Sequence, residues 1–146
     1  MVKYLNSNVT FSEVPDEISL CINITGCKYH CNGCHSPWLW EDTGEGLTKE
    51  VLNKLISDNP GITCVCFMGG EPKDINELAK DCSVKVAYYT GASKVSDELD
   101  LHNFKYIKIG PYIKEFGPLT NRFTNQIFYE VDDNLNLHDI TDKFWK

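Results

Sequence analysis

The run Ile62-Thr63-Cys64-Val65-Cys66-Phe67-Met68-Gly69-Gly70-Glu71-Pro72 decides the fold. Ile62 to Phe67 is apolar and β-branched enough to read as a strand. Gly69 and Gly70 then fall at its carboxyl end, where the lack of side chains exposes main-chain amides and carbonyls to a ligand. In parallel α/β folds ligands bind at that edge of the sheet. The neighbouring segments decide whether this strand belongs to such a sheet.

Upstream, Ser19-Leu20-Cys21-Ile22-Asn23-Ile24-Thr25 alternates apolar and polar residues and reads as a strand. Thr48 offers a helix N-cap, Val51, Leu52, Leu55 and Ile56 form an apolar stripe, and Asn59-Pro60-Gly61 ends it. Downstream, a short helix around Ile75 to Lys80 leads to a strand over Val84 to Tyr89. A helix over Ser96 to Leu99 and a strand over Phe104 to Ile109 follow, closed by Gly110-Pro111. Strands alternating with helices predict βαβ units and a mainly parallel sheet, hence an α/β fold. The tail adds a strand over Gln126 to Val131 and a terminal helix over Ile140 to Trp145. A full eight-fold barrel usually takes about 250 residues. The 146 residues here fit a partial, open barrel in one domain, residues 1–146.

A loop after the first of these strands carries Gly26-Cys27-Lys28-Tyr29-His30-Cys31-Asn32-Gly33-Cys34-His35. Cys27, Cys31 and Cys34 follow C-x-x-x-C-x-x-C spacing, one thiolate short of a closed site. Three cysteines on a four-iron cluster leave one iron open to hold something else. An open position marks a reactive metal site as opposed to a structural one. Zinc held by the same cysteines with His30 or His35 is the other reading of this run taken alone.

The chain holds 7 cysteines, an odd number, and its first residues lack the apolar core of an export signal. Metal binding is therefore expected in place of a disulfide framework, together with a cytoplasmic location and sensitivity to oxygen. No segment is apolar and long enough to span a membrane. The net charge is -7 and Arg122 is the single arginine, which argues against general nucleic-acid binding.

The three-cysteine loop after one strand and Gly-Gly-Glu-Pro after the next together resemble the radical S-adenosylmethionine superfamily. The resemblance implies a 4Fe-4S cluster on Cys27, Cys31 and Cys34, with S-adenosyl-L-methionine chelated to the open iron, on a radical-SAM-type β/α barrel. In that family the Gly-Gly-Glu-Pro loop, here Gly69, Gly70, Glu71 and Pro72, contacts the methionyl amino group. One electron from the cluster then cleaves the sulfonium and yields a 5′-deoxyadenosyl radical.

The segment Cys31-Asn32-Gly33-Cys34-His35-Ser36-Pro37 with Trp38 or Trp40 narrows the resemblance to activating proteins of anaerobic ribonucleotide reductase. So do Tyr89-Thr90-Gly91, Gly110-Pro111-Tyr112-Ile113 and Arg122-Phe123-Thr124-Asn125-Gln126. These similarities run from about Leu20 to Tyr129. Such proteins take a hydrogen atom from a glycine of the large catalytic subunit, which is the protein substrate. They draw electrons from a donor such as flavodoxin. No catalytic side chain beyond the cluster and cofactor is implied, since hydrogen-atom transfer needs no general base.

The implied cofactor contacts are Gly33, Cys34 and His35, the Gly-Gly-Glu-Pro loop, Thr90, Lys108 and Arg122. Two positions depart from the pattern. Gly33 stands where many superfamily members have an aromatic residue, and Lys108-Ile109 stands where many reductase activators have an aspartate before Gly-Pro.

Plainer readings accompany these. Cys64 and Cys66, two apart on a strand, read as small core residues, as do Cys21 and Cys82. Trp38 and Trp40 suit a partner surface or a cover for the cysteine loop, and His35 suits packing or a cofactor contact. The Arg122 fork suits a carboxylate of cofactor or partner, or plain surface exposure. A radical enzyme acting on a small molecule, like the 7-carboxy-7-deazaguanine synthases, and a zinc or electron-transfer module are the alternative functions.

Overall fold

A computed structural model describes residues 2–25, 44–80 and 82–145. It contains an eight-stranded mixed sheet. The strands are β1 (Lys3–Thr10), β2 (Ser19–Ile24), β3 (Glu45–Gly46), β4 (Cys64–Met68), β5 (Lys85–Tyr89), β6 (Tyr106–Ile109), β7 (Ile127–Val131) and β8 (Leu137–Asp139). Helices α1 (Lys49–Asp58) and α2 (Pro72–Ala79) connect β3 to β4 and β4 to β5. The spatial order is β3-β1-β2-β4-β5-β6-β7-β8. Its centre, β2-β4-β5-β6, is parallel, and the flanks β3-β1 and β7-β8 attach antiparallel.

The elements form for local reasons. Thr48 Oγ1 accepts the Val51 amide at 3.2 Å and starts α1. Asn59 closes it, donating its side-chain amide to Leu55 O at 2.8 Å. Pro72 occupies the first turn of α2, where a missing N–H is harmless. Two expected helices differ. Ser96 to Leu99 makes only a turn, with Leu99 N bonded to Ser96 O, and the 3₁₀ turn comes later at Leu101–Asn103. The terminal segment is a 3₁₀ turn, Thr141–Phe144.

Two cores sandwich the sheet. Leu20, Ile22, Val65, Phe67, Val86, Tyr88 and Ile107 point to one face, where Leu52 of α1 and Ile75 and Leu78 of α2 cover them. Both helices thus pack on the same face, and the parallel strands step in one direction without a reversal. The other face carries Cys21, Cys64, Cys66, Ala87, Tyr89, Tyr106 and Phe128 under Val14 and Leu119. Phe128 stacks on Tyr106 at 5.4 Å and meets Phe144 edge-on at 5.1 Å. Among the described residues no helix is long and apolar enough to cross a membrane.

Candidate functional site

The parallel register aligns Asn23, Met68, Tyr89 and Lys108 across the carboxyl ends of β2, β4, β5 and β6. They share the face opposite the helices. The loops that follow this row therefore leave the sheet at one edge.

The cysteine run follows β2. Cys27, Cys31, Cys34, Gly33 and His35, with Trp38 and Trp40, lie outside the described residues. Its point of departure is fixed: Thr25 N donates to Lys3 O at 3.0 Å, next to the end of β2. The Gly-Gly loop follows β4 and adjoins that point. A Cβ built on Gly69 would lie 3.6 Å from the Ile24 carbonyl oxygen. Gly69 and Gly70 have φ of +104° and +92°, a region that disfavours side chains. Gly69 N donates to Tyr89 O at 2.9 Å, and Gly70 O accepts the Tyr88 hydroxyl at 2.6 Å. Glu71 is the exposed N-cap residue of α2, and its carbonyl accepts from Ile75 N.

Thr90 and Lys108 continue the edge. Lys108 Nζ donates to Thr90 O and to Gly110 O, each at 3.1 Å, and lies 6.0 Å from the Tyr89 ring centre. Thr90 is buried, and its hydroxyl accepts the Ala92 amide at 3.1 Å. Gln126, also buried, reaches Gly110 O with its side-chain amide, and Asn125 reaches Pro111 O. The structure thus brings Gly69, Gly70, Thr90 and Lys108 onto one edge. Arg122 is exposed in the β6–β7 loop, 6.0 Å from the Trp145 ring, whose indole donates to Leu119 O.

Below the row, the sulfur-bearing side chains are core. Cys64 and Cys66 are fully buried. Burial, then the Glu17 carboxylate, pushes the Cys64 thiol up to about 12. Burial also pushes Cys66 well up, while its hydrogen bond lowers Cys21. Cys66 Sγ contacts Met68 Sδ at 3.4 Å. Among the described residues no three His, Cys, Asp or Glu side chains gather as a metal site.

Sequence reasoning missed the far end of this face. Glu17, buried, accepts from Tyr106 at 2.5 Å, Thr63 at 2.6 Å and Lys85 at 3.1 Å. These partners are 46 to 89 residues away, so no local pattern could have shown the network. Asn23 did carry a signal, as a polar residue beside the carboxyl end of β2.

No curated protein and no solved structure matches the chain. A family described as a 4Fe-4S single cluster domain matches residues 18–93. The matched part begins just before β2, contains Cys27, Cys31 and Cys34 and the Gly-Gly loop, and ends after Thr90. It is more than half of the sequence and takes in three of the four central parallel strands, so the chain belongs to the 4Fe-4S single cluster domain family.

Proposed function

We propose that this protein is a radical S-adenosylmethionine oxidoreductase that activates a glycyl-radical enzyme, the anaerobic ribonucleotide reductase. One observation carries the reading. The loop that brings Cys27, Cys31 and Cys34 and the Gly69-Gly70 loop leave neighbouring parallel strands at the same edge, with Gly69 against Ile24. Family membership supports the 4Fe-4S cluster.

The donor set fits that group: three thiols at C-x-x-x-C-x-x-C spacing leave one iron for a chelating ligand. With cluster and cofactor bound, the chemistry supplied is one-electron cleavage of a sulfonium and removal of a hydrogen atom from a glycine of the partner. The chain's own residues bind and position. Gly69 and Gly70 hold positive φ values that side chains disfavour and offer main-chain groups at this edge. Thr90 and Lys108 extend the rim, and Gly33 to His35, the further contacts that the resemblance implies, lie outside the described residues.

The sheet supports a partial radical-SAM-type barrel. Parallel strands wound in one direction, with helices on one face, are the arrangement that curls into a barrel, with the helix-free face inside and ligands at the carboxyl ends. A cleft of about 420 Å³ lined by Val84, Phe104 and Lys105 lies at the amino ends, away from this edge. The large reductase subunit would close the open side, with a donor such as flavodoxin supplying electrons in the cytoplasm.

The test is anaerobic. Reconstituted protein, S-adenosyl-L-methionine, a strong reductant and the large subunit should give a glycyl-radical electron spin resonance signal. Cys31→Ala should abolish iron uptake, and Cys64→Ala should leave it intact. Iron binding without cofactor cleavage would end the enzyme claim, and cleavage without a glycyl signal would end the choice of partner.

A further inference from the structure

We infer that Tyr88 is a positioning residue that sets the Gly-Gly loop for the methionyl end of the cofactor; this rests on the reading above. Tyr88 points to the helix-side core, not to the ligand row, and is fully buried. Its neighbours on that face, Ile22, Phe67, Val86 and Ile107, are apolar. A hydroxyl in such a core is unfavourable unless it is hydrogen-bonded. Here it donates to Gly70 O at 2.6 Å.

Gly70 is held on two further sides. A Cβ placed there would lie 2.8 Å from Ile75 Cδ1 of α2 and 3.3 Å from Ile24 Cγ2 of β2. The tyrosine bond adds direction to this packing. The chain has no cis peptide among its described residues, so the Gly70 carbonyl and the Glu71 N–H point opposite ways. Drawing the carbonyl into the core turns the Glu71 N–H out of it. Tyr88 thereby fixes the plane of the peptide that joins Gly70 to Glu71. The apolar neighbours hold the loop in place but cannot choose that plane.

Tyr88→Phe removes one oxygen and is the variant to test, on the anaerobically reconstituted protein. Hydrogen exchange by mass spectrometry should show the Gly69 amide, which donates to Tyr89 O, exchanging about tenfold faster, with the interiors of β4 and β5 unchanged. The dissociation constant for S-adenosyl-L-methionine should rise about fivefold, a change the size of one net hydrogen bond. Methylthioadenosine, which has no methionyl amine or carboxylate, should bind the variant and the parent alike. Unchanged exchange at Gly69 overturns the inference, and so does an equal loss of both ligands, which marks a packing role. A parent protein that binds no S-adenosyl-L-methionine sinks the proposed function instead, and the exchange result still decides whether Tyr88 sets the loop.

Discussion

Tyr106 of β6 and Glu17 of the β1–β2 connection share a hydrogen bond of 2.5 Å at the amino end of the parallel strands. Thr63 and Lys85 donate to the same carboxylate, whose side chain is 3% exposed. Burial raises the Glu17 pKa, but the bonds from Thr63, Tyr106 and Lys85 outweigh it and hold the carboxyl below its ordinary range.

A group depressed on folding stabilises fully above its unfolded pKa, about 4.3 for glutamate, and loses that contribution as pH falls through the lower folded value. Urea unfolding of the wild type should therefore weaken below about pH 4. Glu17→Gln should lack this part of the pH dependence. Glu17→Ala should destabilise by about 2–3 kcal/mol at pH 7, since it strands the buried Tyr106 phenol. An unchanged pH profile in Glu17→Gln would mean that the carboxylate does not act this way.

Gly70→Ala should be worse than Gly69→Ala. Both require a side chain at positive φ, at about 1–2 kcal/mol each. Only at Gly70 does the new methyl also meet Ile75, at 2.8 Å. Thermal melts should rank the two variants in that order, and Ile75→Val should recover part of the Gly70→Ala loss. Equal melting temperatures would show that α2 does not press on the loop.

Lys108→Asp installs the residue common in the activators this chain resembles, yet it should destabilise. The ammonium joins the Thr90 and Gly110 carbonyls, and a carboxylate there would repel both. A loss of about 2–3 kcal/mol in chemical unfolding is expected, and Lys108→Met should fall between. A Lys108→Asp variant as stable as the parent would remove the carbonyl bridge from the account.

Thiol labelling should separate the described cysteines. Cys64 and Cys66 are fully buried with raised thiol pKa values, so they should stay unmodified by iodoacetamide until the protein unfolds. Cys82, half-buried, should react first among Cys21, Cys64, Cys66 and Cys82. Peptide mass spectrometry of briefly alkylated protein checks the order, and early modification of Cys66 would contradict the core assignment.

The parallel centre was legible because its strands are short, apolar and followed by glycine, as at Phe67 to Gly70 and Ile109-Gly110. The α1 cap at Thr48 was legible because capping is local. The flanks were not. β1 reads Lys3-Tyr4-Leu5-Asn6-Ser7-Asn8-Val9-Thr10, with Leu5 and Val9 exposed, so its hydrophobic alternation is faint. β8 is only three residues long. At the site, the strand ends of Gly69 and Thr90 could be placed from pattern alone. The Lys108 bridge and the Tyr88 bond join different strands and arise only from register.

The sheet's two margins, Glu45–Gly46 and Leu137–Asp139, are two and three residues long. An unpaired strand recruits foreign chains in proportion to the ladder it exposes; the β8 border gives little to copy, whereas β3 covers β1 only at Lys3 and Tyr4 among the described residues. Strand exchange between copies is thereby discouraged at the β8 border. At that border a visiting polypeptide is left to engage through loops and side chains.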